Sequence, residues 1–287
     1  MAELIRNGVF VPQVMGKTMQ KNLDQNSVWH GLTNKRYEGE VKTKGDTVDI
    51  IQYGNITVKP YELGTPMEYQ KPDGEKQKLE IDAQDYFAFE IDDIEKVQAQ
   101  PELIEGYFGR SKVALNLSED TYLFTKAKAG IDTNNIISVS GAPTKDTIYN
   151  LFVQYMNALT WSNVLQKNGM GLDGKRPWAV VDPDIKGIIL ESNATKDTTE
   201  GDRATRSGAL FEFCGFDIIV STNSDRKSKT KNIIVGTTDA ITFANQINKT
   251  QALRDKDSFG AYCSGLHVYG AKVVEPKALA GSTFTVA

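Results

Sequence analysis

Histidine and cysteine are scarce in this sequence. Its 287 residues include two histidines, His30 and His267, and two cysteines, Cys214 and Cys263. Histidine-rich metal sites and nucleophiles activated by histidine need more such side chains than these. Two cysteines in a chain of this length are typical of buried, reduced thiols rather than of a disulfide framework. The sequence therefore disfavours these classes of site and predicts structural roles for both histidines.

Long apolar runs and a strong net charge are also missing. No run approaches the length of a membrane span, and the opening MAELIRNG lacks the apolar centre of a signal peptide. The net charge is −4 at pH 7, so no overall field attracts the chain to nucleic acid or to anionic lipid. We therefore expect a protein that is made and used in a cytoplasm, has no membrane partner and contacts DNA weakly at most.

Residues 101–128 are predicted to form one long amphipathic helix around which the rest of the chain is organised. Pro101 suits the first helical position, and Lys126 and Lys128 complement the carbonyl end of the helix. At 100° per residue, the side chains that fall on the core side are Leu103, Ile104, Tyr107, Phe108, Ala114, Leu115, Thr121 and Tyr122. Those predicted to face outward are Glu102, Glu105, Lys112, Asn116, Glu119 and Asp120.

Two glycines, Gly106 and Gly109, lie on the outward side near the start of this helix. Each costs about 1 kcal/mol of helix stability relative to alanine. They indicate either a mild bend in the helix or the close approach of another backbone or subunit.

Residues 1–37 mix isolated apolar residues with glycine and polar residues and show little periodicity. We interpret this stretch as an extended arm with at most one short helix. An arm cannot bury its own apolar side chains, so it must lie on the rest of the fold or on a neighbouring subunit; a mobile tail is the alternative. Phe10 and Trp29 are its candidate contacts between subunits.

From Gly45 onward the apolar residues alternate, which predicts strands. Residues 55–82 are expected to form a long β-hairpin with a turn at residues 72–74, Pro-Asp-Gly. Such a hairpin is only marginally stable alone, so we expect it to project and to find a partner on another molecule. The candidate contact residues on it are Lys59, Glu62, Glu68, Lys71, Asp73, Lys76 and Lys78.

The remaining pattern mixes helices and strands. A buried strand is predicted at residues 85–93, and a second helix at 144–166. A strand at 178–181 is followed by a helix capped by residues 182–184. Further extended segments are predicted at 216–221, 232–236, 239–258 and 266–274, the last of these being the final strand. The fold class is therefore α+β.

Three motifs invite a chemical interpretation. The glycines of residues 169–175 spell G-x-G-x-x-G, but a predicted helix precedes them and a strand follows, so a plain turn is favoured over a phosphate cradle. The acidic stretch of residues 90–95 is interpreted as a solvated turn, with chelation of a divalent cation as the alternative. The basic residues of 226–231 are interpreted as a solvated loop, with phosphate contact as the alternative.

Several stretches together resemble a known family. GDTVDIIQYGNITV and LEIDAQDYFAFEIDDIEKVQAQPELIE are similar to the strand, extended loop and start of the long helix in the major capsid (coat) proteins of tailed double-stranded DNA bacteriophages. RPWAVVDPDIKGIILES and RDKDSFGAYCSGLHVYGAKVVEPKALA are similar to a strand-helix segment and to the closing strand of the same proteins. The resemblance covers about residues 7–280.

The resemblance implies the Hong Kong 97-type capsid fold, an α+β architecture. Residues 1–37 would be the N-terminal arm, and residues 38–85 the extended β-hairpin loop with its flanking strands. Residues 86–144 and 226–260 would form a peripheral domain that holds the spine helix 101–128. Residues 145–225 and 261–287 would form an α/β axial domain.

The resemblance also implies a function. The chain would be a structural virion protein, without enzymatic activity or cofactor, that self-assembles as hexamers and pentamers into an icosahedral head shell enclosing double-stranded DNA. Assembly would take place in the host bacterial cytoplasm, with a portal protein and a separate scaffolding protein as partners, unless a scaffolding region was removed earlier. The alternatives are a β-rich ligand-binding or hydrolytic module that uses the acidic residues 82–95, or a tail-tube or decoration protein.

Overall fold

The computed structural model describes residues 27–37, 45–52, 56–60, 69–71, 74–92, 102–139, 141, 143–162, 164–165, 170–171, 174–192, 212–223, 230–254 and 260–285. Within them lie three α-helices, α1 (Glu102–Ala129), α2 (Ile148–Trp161) and α3 (Pro183–Glu191). The strands are β1 (Thr47–Gln52), β2 (Glu75–Glu80), β3 (Ala83–Asp92), β4 (Trp178–Val181), β5 (Glu212–Phe213), β6 (Phe216–Val220), β7 (Thr230–Gly236), β8 (Ile241–Arg254), β9 (Gly260–Val273) and β10 (Leu279–Thr285). The architecture is mixed α+β, as predicted.

A five-stranded sheet carries α2 and α3. Its order is β10-β7-β4-β6-β5, with β4 and β6 parallel and the other neighbours antiparallel. Ala179 and Val181 of β4 face a core formed with α2 and α3, whereas Trp178 and Val180 belong to a second core on the other side. Because side chains alternate along a strand, the all-apolar run WAVV serves both cores.

A three-stranded antiparallel sheet, β3-β9-β8, packs against α1. Two aromatic residues of β3 pack against two of the helix. The ring centroid of Phe108 lies 6.0 Å from that of Phe87 and 5.1 Å from that of Phe89, and Tyr107 lies 5.7 Å from Phe89. The opposite face of β3 is exposed, and Tyr86 is 77% exposed there. The prediction of a wholly buried strand was therefore wrong, because β3 has a helix on one face only.

The β-hairpin differs from its prediction. β1 pairs with β2 antiparallel, from Thr47 opposite Glu80 to Gln52 opposite Glu75. A hairpin turning at residues 72–74 would instead have paired Glu75 with a residue just before the turn. Residues 53–74 join the two strands, and Pro72 and Asp73 of the predicted turn lie outside the described residues. The Pro-Asp-Gly signal is local, whereas the register is fixed by burial of Val48, Ile50 and Leu79 against Ala244 and Val268.

The long helix was predicted correctly in position but not in orientation. Of the residues predicted to face outward, Asn116, Glu119 and Asp120 are buried, while Ala114 and Thr121 from the predicted core side are exposed. The buried face of its second half consists of Leu115, Leu123, Phe124 and Ala127 together with those three polar residues. The prediction assumed that charged side chains of the helix face solvent. Glu119 and Asp120 are buried instead, because distant parts of the chain supply partners for them.

Strand membership divides the chain differently from the predicted domains. β7, predicted with the peripheral segment 226–260, lies in the five-stranded sheet, and β9, predicted with the axial segment 261–287, lies in the sheet beside α1. β10 was not predicted at all. Its sequence LAGSTFT has few β-branched residues, and Gly281 allows it to lie close to β7, since a Cβ there would be 2.7 Å from the carbonyl oxygen of Ile233.

The other elements agree more closely with the sequence analysis. α2 is shorter than the predicted helix 144–166, while β4, α3 and β6 lie where they were expected. In the glycine-rich segment, the Gly174 N–H donates to the carbonyl oxygen of Gly171 over 2.9 Å, and Gly174 has a φ of 77°. This is the plain turn that was favoured over a phosphate cradle.

Candidate functional site

Residues between β1 and β2 present both charged and apolar side chains to solvent. Ile56, Val58 and Tyr69 are 74%, 93% and 89% exposed. Lys59 and Lys71 are exposed beside them in the sequence. Three large apolar side chains left almost wholly in water on one loop indicate a surface that another molecule covers.

The strands at the base of this loop hold it firmly. Val48, Ile50, Leu79 and Ile81 are buried against β8 and β9. At Gly270 of β9 a Cβ would lie 2.3 Å from the carbonyl oxygen of Glu80, so the backbones of the hairpin and the sheet are in close contact. The loop therefore leaves a rigid platform.

Of the hairpin and arm residues predicted to contact neighbouring subunits, some are exposed in the structure and others lie outside its described residues. Lys59, Lys71, Lys76 and Lys78 are exposed on the hairpin and its loop. The Lys76 ammonium lies 3.9 Å from an Asp49 carboxylate oxygen, and exposed pairs of this kind contribute little stability. Phe10, Glu62, Glu68 and Asp73 lie outside the described residues.

Trp29 was wrongly predicted as a contact between subunits. It is 0% exposed and packs edge-on against Phe124 of α1 and Trp178 of β4, with ring centroids 6.5 and 5.5 Å apart. It has no surface left to offer a neighbour. The described part of the arm lies on its own subunit, since the Asn34 N–H donates to the Ile241 carbonyl and the Phe243 N–H donates to the Asn34 carbonyl.

A second exposed apolar surface lies along the outer face of α1. Val113 and Leu117, one helical turn apart, are 66% and 45% exposed. Gly109 and Gly106 lie one and two turns before Val113, and a Cβ at either would have nothing within 4 Å. None of the described residues of the subunit therefore requires glycine at these positions.

Replacing both glycines by alanine tests the two interpretations of this face. In the subunit, Gly106→Ala and Gly109→Ala are each expected to add up to about 1 kcal/mol to the free energy of unfolding. Urea unfolding of the single and double variants measures this gain. A stabilised double variant that still forms its assemblies would support the bend, whereas one that folds but fails to assemble would support close approach by a neighbour.

Both histidines of the chain meet at one buried carboxylate of α1. The His30 side chain in the arm and the Glu119 carboxylate are hydrogen-bonded, and His267 Nε2 of β9 lies 3.6 Å from Glu119 Oε2. Lys35 donates from Nζ to His30 Nδ1 over 3.1 Å. Asn245 Nδ2 lies 3.1 Å from His30 Nε2, so this ring nitrogen faces both the Glu119 carboxylate and an amide group.

This cluster ties four parts of the chain together. Asn245 of β8 donates from Nδ2 to Glu119 Oε2 over 3.5 Å. Glu119, His30, His267 and Asn245 are each at most 5% exposed. Buried charges persist where they are paired and hydrogen-bonded. The cluster thus fixes the arm, α1, β8 and β9 in one arrangement and confirms the structural roles predicted for both histidines.

The neighbouring carboxylate, Asp120, also binds the arm. It accepts hydrogen bonds from the Ser27 hydroxyl over 2.5 Å, from the backbone N–H of Val28 and Trp29, and from Asn223 Nδ2 over 3.2 Å. Burial raises the pKa of Asp120 above its ordinary value of 3.8, and the hydrogen bonds from Ser27, Val28 and Trp29 offset part of that rise.

This raised pKa predicts how stability depends on pH. Since the folded state favours protonated Asp120, the stability that this group contributes rises as the pH falls through the raised pKa and becomes constant below the ordinary value. We expect wild type to gain stability relative to Asp120→Asn when the pH is lowered from about 7 to about 4, close to the ordinary pKa of the carboxyl group. Thermal unfolding of both proteins at the two pH values measures this.

The experiment has a control variant and an outcome that would contradict the prediction. Asp217→Asn changes an exposed carboxylate on β6 and should leave the pH dependence of wild type unchanged. If wild type lost stability relative to Asp120→Asn on acidification, the assigned direction of the Asp120 pKa would be wrong.

Catalytic chemistry finds little support in the described part of the chain. No group of three histidine, cysteine, aspartate or glutamate side chains suited to a metal ion occurs there. The two cysteines form no disulfide, and burial raises the pKa of Cys214 to about 11, which keeps that thiol protonated. Among the described helices, none is long and apolar enough to span a membrane. The features that remain are exposed surfaces rather than a reactive pocket.

Known structures share this architecture over nearly its whole length. A solved structure from Mycobacterium phage Che8 superposes with a TM-score of 0.72 and 25% sequence identity over 90% of this chain and 91% of that one. The capsid of cyanophage P-SCSP1u gives a TM-score of 0.69 and 12% identity, covering 86% of this chain and 85% of that one. The chain has the fold of phage capsid proteins. A second capsid with this fold, from Ralstonia phage GP4, gives a TM-score of 0.67 and 11% identity over 89% of this chain and 87% of that one.

Sequence comparison alone does not reach the capsid fold, because no protein-family model and no curated protein matches this chain. The capsid fold nevertheless accounts for the exposed loop and the exposed helix face, since capsid proteins work as assembled subunits. Sequence reasoning missed the outer face of α1 and the buried cluster at Glu119. No local signal in the sequence could have found the cluster, because His30, Glu119, Asn245 and His267 lie far apart along the chain.

Proposed function

We propose that this chain is the major capsid protein of a tailed bacteriophage, a structural protein whose copies assemble into the shell of the head. The observation that carries the proposal is the agreement of fold with phage structures over about nine-tenths of both chains, at a TM-score of 0.72 for the phage Che8 structure. The exposed apolar loop and helix face support it, because each is a surface that a neighbouring copy would cover.

The parts of the chain take the following roles in this proposal. α1 is the spine helix, and the β3-β9-β8 sheet that packs on it forms the peripheral domain. The five-stranded sheet with α2 and α3 forms the axial domain. β1, β2 and the residues between them form the extended loop of the Hong Kong 97-type fold, and the residues up to 37 form the arm.

The extended loop makes the contact between neighbouring subunits. Ile56, Val58 and Tyr69 supply the apolar area, and the lysines at 59, 71, 76 and 78 supply charge around it. Their natural counterpart on the neighbour is the outer face of α1, where Val113 and Leu117 are exposed. Phe10, Glu62, Glu68 and Asp73 remain in this contact set on sequence grounds, and Trp29 is removed from it. Each interface can be modest because every subunit is held by several neighbours.

The proposal assigns the partners and the location as well. Copies of the chain form hexamers and pentamers, which a scaffolding protein and a portal protein help to build into a head in the host cytoplasm. The shell then holds double-stranded DNA by weak, non-specific contacts. A net charge of −4 suits this role, because a strongly basic wall would bind phosphate and hinder packaging. The work is structural and involves no catalytic step or cofactor.

Negative-stain electron microscopy of the chain, produced alone and with the genes beside it, tests the proposal. Closed shells of uniform size, or hexameric and pentameric rings, are the expected result. A monomer that forms no assemblies in either setting would overturn the proposal. If that monomer bound a ligand in a calcium-dependent way, a binding module using the acidic residues 82–95 would take its place.

A further inference from the structure

An uncharged stripe runs along the outer side of α2. Thr147, Asn150, Gln154, Asn157 and Trp161 are all exposed and recur at the spacing of one helix face. The helix sequence IYNLFVQYMNALTW contains no charged residue at all. Solvent-facing sides of helices usually carry charges, so this face is suited to contact with another uncharged surface.

Trp161, at the end of the stripe, is 86% exposed. The other two tryptophans of the chain, Trp29 and Trp178, are 0% and 2% exposed. Tryptophan is enriched among the few residues that dominate binding energy at protein interfaces, because its large ring buries much area and orders few torsions. An indole left in water at a helix end is therefore a candidate anchor.

A groove of about 430 Å³ lies at the other end of the same stripe. Among the described residues, none that lines the groove is charged. Its lining includes Val139, Pro143, Thr147, Asn150, Leu151 and Gln154. Ser138 and Thr144 complete the lining, so three apolar residues and five uncharged hydrogen-bonding residues surround the groove. Such a mixed, uncharged lining can accept an aromatic ring that has a polar edge.

We propose that Trp161 of one subunit inserts into this groove of the next subunit. The proposal rests on the shell-forming function above and adds one specific contact to it. The ring packs beside Leu151, and its indole N–H donates to the amide oxygen of Asn150 or Gln154. Both surfaces are uncharged, so neither leaves a charge buried without a partner.

The position of the two surfaces identifies a second copy as the occupant. Asn150 and Trp161 are separated by roughly 16 Å along a helix that rises 1.5 Å per residue, so the ring cannot reach the groove of its own subunit. A contact that joins two different patches of identical subunits is heterologous. Repeating it from copy to copy gives a closed ring when the rotation between neighbours is a whole fraction of a full turn. Rings of this kind are what hexamers and pentamers need. The described lining of the groove offers no cation to a nucleic acid or an acidic peptide.

Tryptophan fluorescence tests the contact directly, because Trp161 is the exposed one of three. In dissociated subunits, acrylamide is expected to quench a component that disappears in Trp161→Phe. In shells or rings of the wild-type chain, this component should be protected from acrylamide. Shells in which it remains as quenchable as in free subunits would overturn the inference while leaving the proposed function intact. Failure of the wild type to assemble at all would overturn both.

Substitutions test whether Trp161 contributes binding energy to the contact. Trp161→Ser and Gln154→Glu change exposed side chains on the two sides of the contact, and each should raise the protein concentration needed for assembly by on the order of tenfold. Trp161→Phe keeps an aromatic ring and should assemble nearly as wild type does. Far-ultraviolet circular dichroism checks that each subunit is folded. Normal assembly of both Trp161→Ser and Gln154→Glu would overturn the inference.

Discussion

Replacing residues 53–74 with Asn-Gly is expected to give a folded subunit that forms no closed shells. Gln52 and Glu75 face each other at the end of the β1-β2 pair, so a two-residue turn can join the strands without changing their register. Val48, Ile50 and Leu79 keep their packing against the sheet. The change removes Ile56, Val58 and Tyr69, whose exposed surface has no function in an isolated subunit.

Two measurements and one control decide this prediction. Circular dichroism and thermal unfolding report whether the shortened subunit is folded, and electron microscopy reports whether it assembles. A full-length variant with Ile56, Val58 and Tyr69 all changed to Ser keeps the loop but loses the apolar contacts. Assembly defects in both variants would assign the effect to those side chains, whereas normal shells from the shortened chain would remove the loop from the interface.

Glu119→Ala is expected to cost about 3–5 kcal/mol of folding free energy, as is typical when one partner of a buried charged cluster is removed. His30 and His267, both nearly inaccessible to water, would lose the carboxylate that they share. The arm should then be held less firmly, although the Asp120 hydrogen bonds and the packing of Trp29 remain, and Trp29 should become more accessible to water. We therefore expect unfolding at lower urea concentration and, before it, a red shift in tryptophan emission.

Two further substitutions sharpen the test of the Glu119 cluster. Glu119→Gln keeps an oxygen acceptor for His30 and is expected to cost less than the alanine variant. Glu212→Ala removes an exposed carboxylate that pairs with Arg176 and should cost no more than about 1 kcal/mol. An alanine variant at 119 that unfolds at the same urea concentration as Glu212→Ala would show that the cluster contributes little.

Local signals in the sequence were sufficient for the main elements. The length and position of α1 follow from periodicity over many residues, and β4 with α3 follows from WAVV and the Asp-Pro start. The resemblance to capsid proteins rests on such segments, and the shared fold confirms it.

Features that depend on distant residues were not predictable in this way. Glu119 and Asp120 face inward because His30, Ser27, Asn223 and His267 meet them there, and helical periodicity carries no information about those partners. The register of β1 and β2 depends on packing against β8 and β9, so a turn signal inside the loop misplaced it. Trp29 was assigned to an interface for the same reason, since its partner Trp178 lies far along the chain.

The burial of Trp29 also has a consequence for the order of synthesis. Trp29 is synthesised well before the residues that complete its core, which include Trp178, Phe243 and Leu279. That core cannot close until Leu279 has been made, and contacts between such distant residues form slowly. A chain truncated before Leu279 would leave the arm without a complete core, so we expect such a product not to fold into a subunit that can assemble.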